Sequence, residues 1–357
     1  MISGYSHHAG LERMHITIRL YNEDGNVWDA FVTSRQDSTN YHRYGWRNVV
    51  EKSFGHRTMY LVATNGRDEI CGILPYVQMK SRLFGNSLVS LPFFNYGGLL
   101  VSENAAIAEL LDASRRMLDE PGADHIELRH LTVCDDIAAT KQHKVTMLLE
   151  LKQNEKDQWE HLDPKVRNQV RKAEKSGLTS VTGGLELLDG FYGVFCRNMR
   201  DLGTPVYCRD FFRNVLEEFP ESTRIVSIMY DGKTIASALM TWYRQTLEVP
   251  WASSIRDFRE RCPNNLLYWE AIRFAISNGA GTFDFGRSTP GEGTFNFKKQ
   301  WGAKPVPLYW QYLLREGGAL PEINPKNPKY RFAIQAWQKL PLLVTNLLGP
   351  HIVRCIP

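Results

Sequence analysis

The sequence predicts an α/β protein made from two copies of one folding unit, and three observations carry that expectation. Two hairpin signals, Asn65-Gly66 and Asp231-Gly232, each sit between β-branched apolar runs, the strongest short-range signal for a turn between antiparallel strands. Each is followed by a strand-like stretch, residues 87–94 in one case and 246–253 in the other, and then by a run with apolar residues at helical spacing. Each helical run, 103–120 and 264–278, ends at Gly-Ala and re-enters a strand, with glycine where a helix C-terminus wants it. Gly66 precedes Gly232 by 166 residues and Gly122 precedes Gly279 by 157, so the two series stay in register.

A chain of 357 residues is too long for one ordinary core and suits two. We place a first unit at 13–151, closed by a strand over 144–151, and a second at 152–314, opened near Trp159. Residues 315–329 are rich in Gly and Pro and read as linker. Residues 330–357 form an amphipathic tail with Phe332, Ile334, Trp337, Leu343 and Leu347. The tail either packs on the body or contacts a membrane surface or partner.

Composition excludes several function classes. Lys and Arg total 43 against 39 acidic residues, a net charge of +4, too small to argue for nucleic acid by itself. The six cysteines form no CxxC pair and no zinc-ligand spacing with His. They read as buried free thiols, suited to a reducing compartment, and no metal site is expected. The first thirty residues lack the apolar core of a signal peptide, and no apolar run approaches membrane-spanning length. A cytoplasmic protein is expected, with its tail offering contact to the inner membrane face.

Three segments could carry chemistry. In the first, Asp163 is a candidate N-cap with Pro164 at the first helical position. On the helix that follows, Arg167 and Arg171 stack at i, i+4 beside Lys165, Lys172 and Lys175. This is a solvated basic face, or a clamp for phosphate or carboxylate, for which guanidinium forks are suited. In the second, the strand Phe283-Asp284-Phe285 runs into Gly286-Arg287-Ser288-Thr289, then a Gly-rich turn, then Phe297-Lys298. Loops at strand ends are where sites lie in α/β folds. Asp284 could orient Arg287 or a substrate amine, and Lys298 could stand at a cleft wall. The third, Leu91 to Gly98, holds Asn95, Tyr96 and a Gly-Gly pair, either a plain tight turn or a close backbone approach to a ligand. Its counterpart in the second copy contains Trp251. There is no P-loop, GxSxG, HExxH or GxGxxG.

Four pieces together resemble the FemAB family of tandem GNAT-fold acyl and aminoacyl transferases. They are Lys165-Val-Arg-Asn-Gln-Val-Arg-Lys-Ala-Glu-Lys-Ser-Gly177, Asn265-Leu-Leu-Tyr-Trp-Glu270, Phe283-Asp-Phe-Gly-Arg-Ser288 and Phe297-Lys-Lys-Gln-Trp-Gly302. More narrowly, the chain resembles the FemAB-related proteins that accompany exosortase and PEP-CTERM systems in exopolysaccharide-producing bacteria. The resemblance implies two GNAT-like domains, each a mixed, largely antiparallel sheet flanked by helices. It implies direct transfer of an acyl or aminoacyl group from an activated donor, acyl-CoA or aminoacyl-tRNA, to an amine of an envelope or polysaccharide precursor. The tRNA-binding coiled-coil arm of some members has no heptad run here. The pyrophosphate loop of CoA-binding members is replaced by Arg256-Asp-Phe-Arg-Glu-Arg-Cys-Pro-Asn264.

Under that reading Lys298 and Arg287 stabilise an anion or oxyanion and Asp284 orients or deprotonates the amine. Arg167 and Arg171 hold a phosphate-bearing or acidic substrate, and Asn95, Tyr96, Trp251 and Ser288 line the cleft. The competing reading is a non-catalytic GNAT-fold binding protein acting in polysaccharide assembly or exosortase-linked export. Only the second copy carries the Gly-rich polar loop, since the first continues as Ile126-Glu-Leu-Arg-His130.

Overall fold

The computed structural model describes residues 15–82, 84–119, 122–321 and 328–356, and the side chains of those except 328–330. The expected start of the first unit at residue 13, and residues 322–327 of the expected linker, lie outside the described residues. The first half runs β1 (Thr17–Leu20), α1 (Gly25–Ser34), α2 (Gly45–Phe54), β2 (Thr58–Thr64), β3 (Ile70–Ser81), β4 (Gly85–Val89), β5 (Leu100–Val101), α3 (Ala105–Met117), β6 (His125–His130) and β7 (Ala139–Glu150). The second runs α4 (Glu155–His161), α5 (Pro164–Lys175), β8 (Thr179–Gly183), α6 (Leu188–Leu202), α7 (Arg209–Glu218), β9 (Thr223–Tyr230), β10 (Lys233–Tyr243), β11 (Thr246–Ser254), α8 (Pro263–Ser277), β12 (Thr282–Ser288), α9 (Gly293–Gln300) and β13 (Lys304–Leu314). Two further helices follow, α10 (Pro328–Lys339) and α11 (Leu342–Val353).

Local signals explain most of these elements. Asp231 and Gly232 both take positive φ, 50° and 70°, and Tyr230 pairs directly with Lys233, which is the two-residue turn that matches strand twist. The Asn65-Gly66 turn differs. The Asn65 side-chain oxygen accepts the N–H groups of Arg67 and Glu69, at 3.0 and 3.2 Å, so it organises a wider loop rather than a two-residue one. Gly122 and Gly279 leave α3 and α8 at φ 62° and 74°, a backbone region that costs a side-chain-bearing residue about 1–2 kcal/mol. Asp163 caps α5 by accepting the Lys165 N–H at 2.7 Å, with Pro164 opening the helix.

The strands form one mixed, largely antiparallel sheet in the order β1-β2-β3-β4-β6-β13-β7-β12-β11-β10-β9-β8, with β5 added on β3. The two exceptions to antiparallel pairing are β4 with β6 and β11 with β12. The strand expected to close the first unit does something else. β7 pairs with β12 and β13, and β13 pairs with β6 and β7. Each half therefore lends its last strand to the other, and the two sheets become continuous. The halves also share an apolar core, in which Tyr41, Trp46 and Phe94 of the first meet Phe191, Phe211 and Trp251 of the second.

All six cysteines are free, as read from their spacing. Only Cys71 and Cys196 are fully buried and the other four are half-buried, a correction to the expectation of buried thiols. The tail folds as the two helices α10 and α11, both resting on α6. None of the described helices is long and apolar enough to cross a membrane.

Candidate active site

Each half contains one parallel strand pair, and both pairs part after three residues. Ser87–Val89 runs beside His125–Glu127, and Thr246–Glu248 beside Thr282–Asp284. In the first half the gap beyond the parting is filled by its own loop. The Ser90 N–H donates to the Glu127 carbonyl at 2.9 Å and the Gly97 N–H to the Arg129 carbonyl at 3.1 Å. Between them, Leu91 and Phe93 are forced to φ 54° and 77°, backbone strain of the kind that persists only where the surroundings impose it. The result is that Asn95 and Tyr96 reach across to the second half. Asn95 donates its Nδ2–H to Glu248 Oε1 at 3.0 Å, and the Tyr96 hydroxyl donates to Asp284 Oδ2 at 3.0 Å.

Glu248 and Asp284 are directly paired in register, and both are buried. Asp284 Oδ1 also accepts from the Thr146 hydroxyl at 2.5 Å and the Gly286 N–H at 2.7 Å. Burial pushes the Glu248 carboxyl up to about 8, reinforced by the negative charge of Asp284 and opposed by Asn95 and Lys298. Burial also raises Asp284, against the pull of its three donors and of Lys298. The charge of each carboxylate disfavours ionisation of the other, so the two acids titrate as a pair. The Tyr41 hydroxyl faces the same pair without a hydrogen bond of normal geometry, and burial and Glu248 raise it well above the usual phenol range.

Lys298, on α9, is buried and donates to the carbonyls of Gly286 and Arg287 at 2.9 and 3.0 Å. Its third N–H is left over. Burial lowers the ammonium to about 8, opposed by Asp284 and Glu248. Arg287 follows Asp284 on β12 across a β-bulge and pairs in register with Thr146. Desolvation by the surrounding protein, and then the Arg129 charge, lower its guanidinium to about 10. Its guanidinium lies 5.3 Å from the Trp310 ring centre, and that of Arg129 lies 4.5 Å from the same ring. Lys144 joins this basic group, donating to the Thr289 hydroxyl at 2.6 Å, and its ammonium is lowered by burial and then by Arg287.

A cavity of about 800 Å³ opens over the carboxyl pair. Its floor is one face of the sheet: Thr241 of β10, Thr246 and Glu248 of β11, Thr282 and Asp284 of β12, and Thr146 of β7. Its walls are residues 36–40 and Tyr96 of the first half, with Tyr243 at one edge. The first half is tied down over the floor, since Asn40 donates its side-chain N–H to Thr241 Oγ1 at 3.1 Å. The site is concave, hydroxyl-rich and acidic at its base, and it exists only where the halves meet.

The expected site residues therefore separate. Asn95, Tyr96, Asp284 and Lys298 converge. Arg287 belongs to the basic group around Trp310. Ser288 is buried with its hydroxyl lacking a protein partner. Trp251 packs among Phe94, Tyr207, Phe211 and Phe212. Arg167 and Arg171 lie on α5, which packs on α8, and Arg171 covers the Trp159 ring at 5.4 Å. Among the described residues neither makes an ion pair, and neither lines the cavity. Sequence reasoning missed Glu248, Thr146 and Tyr41. Glu248 had a signal: it is the one charged residue in the strand Thr246-Leu-Glu-Val-Pro-Trp-Ala-Ser-Ser254. Thr146 and Tyr41 had none. Among the described residues no three His, Cys, Asp or Glu side chains converge to hold a metal ion.

Residues 164–299 match the family model for an acetyltransferase (GNAT) domain. No curated protein matches the chain. Among solved structures, FemX superposes with a TM-score of 0.63 at 15% identity, over 83% of this chain and 97% of its own. A tandem GNAT protein from the clavulanic acid biosynthesis pathway gives 0.56 at 9% identity, over 86% and 100%. L-PGS from Bacillus licheniformis gives 0.53 at 14% identity, over 91% and 97%. With 164–299 matching the acetyltransferase model and more than four fifths of the chain superposing on FemX and on a tandem GNAT protein, the fold is the GNAT fold, doubled in the manner of FemX.

Proposed function

We propose that the chain is an N-acyltransferase or aminoacyltransferase that holds an acceptor amine in the inter-half cavity, over Glu248 and Asp284. The observation that carries this is the buried carboxyl pair at the parting strands of the acetyltransferase-like half. Among the described residues neither carboxylate has a cation in ion-pair contact, so an ammonium entering the cavity would meet an unneutralised acidic floor. The amine must lose a proton to attack. A carboxylate of the buried pair accepts it, which is general-base work. The new N–C bond forms as the donor's C–S or C–O bond breaks, and the leaving group departs with its electron pair. The remaining N–H of Lys298, held beside Asp284 at the end of β12, is the donor we assign to the oxyanion. Holding amine and carbonyl together across two rigid halves supplies much of the rate.

Two lines support the donor class. GNAT-type relatives include an N-myristoyltransferase with bound myristoyl-CoA, at a TM-score of 0.50 and 14% identity, which supports acyl-CoA. The FemX and L-PGS likenesses support an aminoacyl donor and an envelope acceptor. The resemblance to exosortase-associated FemAB proteins supports an exopolysaccharide-related amine. The hydroxyl-lined floor suits a polyhydroxylated acceptor, and the basic group around Arg287 suits a phosphate-bearing donor.

A second reading has its own observation. Lys298 gives two of its N–H groups to main-chain carbonyls and Asp284 accepts three hydrogen bonds, as a purely structural cluster in a binding protein would. The two separate in one assay. Purified protein is given acetyl-CoA or alanyl-tRNA with an amine panel including glucosamine and a lysine peptide, and thiol or tRNA release is followed. Transfer that falls at least about 100-fold in Glu248→Gln supports the enzyme. Transfer from neither donor leaves the binding reading standing.

A further inference from the structure

The tail presents an apolar face that the body does not use. On α11 the buried positions are Thr345, Gly349 and Val353, spaced four apart. This stripe is the docked side, where Gly349 meets Val206 of the second half. Arg354 closes the contact by donating to the Phe54 carbonyl at 2.5 Å. On α10 the docked side includes Ile334, which meets Gly203 just past α6. Positions two removed from a docked stripe fall on the opposite side of a helix. There lie Phe332, Leu343 and Leu347, with 74%, 82% and 68% of their surface exposed, the three most exposed large apolar side chains among the described residues. α11 is mostly apolar, with Thr345, Asn346 and His351 its polar side chains, yet its fully buried positions form one stripe.

The charge of the segment is one-sided. From residue 328 to the end the sequence contains Lys329, Arg331, Lys339 and Arg354, and no Asp or Glu. Arg331 and Lys339 are exposed. A surface of leucine and phenylalanine flanked by unopposed cations is complementary to a layer with an apolar interior and anionic headgroups. At 12 residues, α11 is about 18 Å long against a bilayer core of about 30 Å, so the helix lies on the surface rather than crossing it.

We infer that the outer face of α10 and α11 docks the protein on an anionic phospholipid bilayer. The proposal does not depend on the transfer reaction, and its test measures no catalysis. Full-length protein is sedimented with vesicles of phosphatidylcholine alone, or of phosphatidylcholine and phosphatidylglycerol in equal parts. The anionic vesicles should bind at least about tenfold more tightly. Leu343→Ser with Leu347→Ser should weaken that binding at least about tenfold. Arg331→Glu with Lys339→Glu should remove the preference for anionic lipid while leaving thermal unfolding unchanged, which guards against loss of fold. Wild-type protein that stays in the supernatant with anionic vesicles overturns the proposal. So does equal pelleting by the leucine variant, or a dimer in sedimentation velocity that the leucine variant dissolves without any vesicle binding, which would assign the face to a second copy of the chain.

Discussion

Glu248 and Asp284 are register partners on parallel strands, both buried, and among the described residues neither is in ion-pair contact with a cation. The matching place in the first half is resolved differently. Glu127 precedes Asp284 by the same 157 residues that separate Gly122 from Gly279. It pairs with Arg129 at 2.7 Å and accepts from the Tyr312 hydroxyl at 3.0 Å. Its own register partner is Val89 rather than an acid. One copy thus neutralises its buried acid, while the other doubles it and opens a cavity above. Tyr312 and Thr146 come from the exchanged strands, so the swap of last strands completes both arrangements.

This contrast predicts opposite responses to the same substitution. Glu127→Gln leaves Arg129 buried without its counter-charge and should destabilise by about 3–5 kcal/mol. Glu248→Gln keeps the acceptor for Asn95 and removes the second buried charge. Glu248 is raised in the folded state, to about 8 from 4.5, so the stability it contributes is complete below about pH 4.5 and lost as pH rises through 8. At pH 8.5 Glu248→Gln should therefore be stabilised by about 1–3 kcal/mol over wild type, and near pH 4.5 the two should converge. Urea unfolding at both pH values measures it. Equal unfolding midpoints at pH 8.5 would show that Glu248 is not held protonated.

Lys298 links α9 to the end of β12, which predicts a split between stability and transfer. Lys298→Met loses both carbonyl contacts and the charge and should cost about 1–3 kcal/mol. Lys298→Arg keeps a donor and a charge but places a planar fork where an ammonium fitted. It should retain more of the thermal stability than Lys298→Met while transfer falls at least about tenfold. Calorimetry and donor-release kinetics on the same preparations separate the two effects. Unchanged transfer in Lys298→Arg would remove the amine from the reaction.

Much of the fold was legible because its signals are local. The duplication shows in turn residues and helix exits, which report on their own neighbourhoods. The exchange of β7 and β13 does not show, because strand partners far apart in sequence leave no local mark. The same division holds in the site. Asp284 and Lys298 stand in a polar loop context that marks them, and Asn95 and Tyr96 beside a Gly-Gly pair. Tyr41 and Thr146 look like any core tyrosine and strand threonine, and acquire a role only from the opposite half. Arg167 and Arg171 show the converse: their helical spacing is visible, but spacing alone does not say what the face looks toward.

Gly98 lies against the ring of His130, and a Cβ there would come within 2.2 Å of His130 Cδ2 and 2.9 Å of the Arg129 carbonyl. The ring cannot retreat freely, because it is held at both nitrogens. Gly98→Ala should therefore cost at least about 2 kcal/mol, read as a lowered thermal midpoint. It should also reduce binding at the cavity, since Gly98 follows directly on the loop that carries Asn95 and Tyr96. A variant with wild-type stability would show that the loop relaxes without loss.

Two buried histidines set the acid limit of the fold. His130 accepts the Leu99 N–H at its Nε2, at 3.1 Å, and shares its Nδ1 with Gln311 Oε1 at 2.9 Å, so the ring is neutral and donates from Nδ1. His42 accepts the Thr39 N–H at Nδ1, at 2.9 Å. Burial lowers both to about 4 from 6.5. A base with a lowered folded pKa binds protons first in the unfolded chain, so its share of stability is complete above about pH 6.5 and is lost as pH falls toward 4. Each ring accounts for roughly 3 kcal/mol over that window. Urea unfolding between pH 7 and 4.5 should show a steep loss, and His130→Asn should lower the pH slope by about one proton whatever its effect on stability at pH 7. Parallel slopes for wild type and variant would mean that His130 is protonated in the folded state as readily as in the unfolded one.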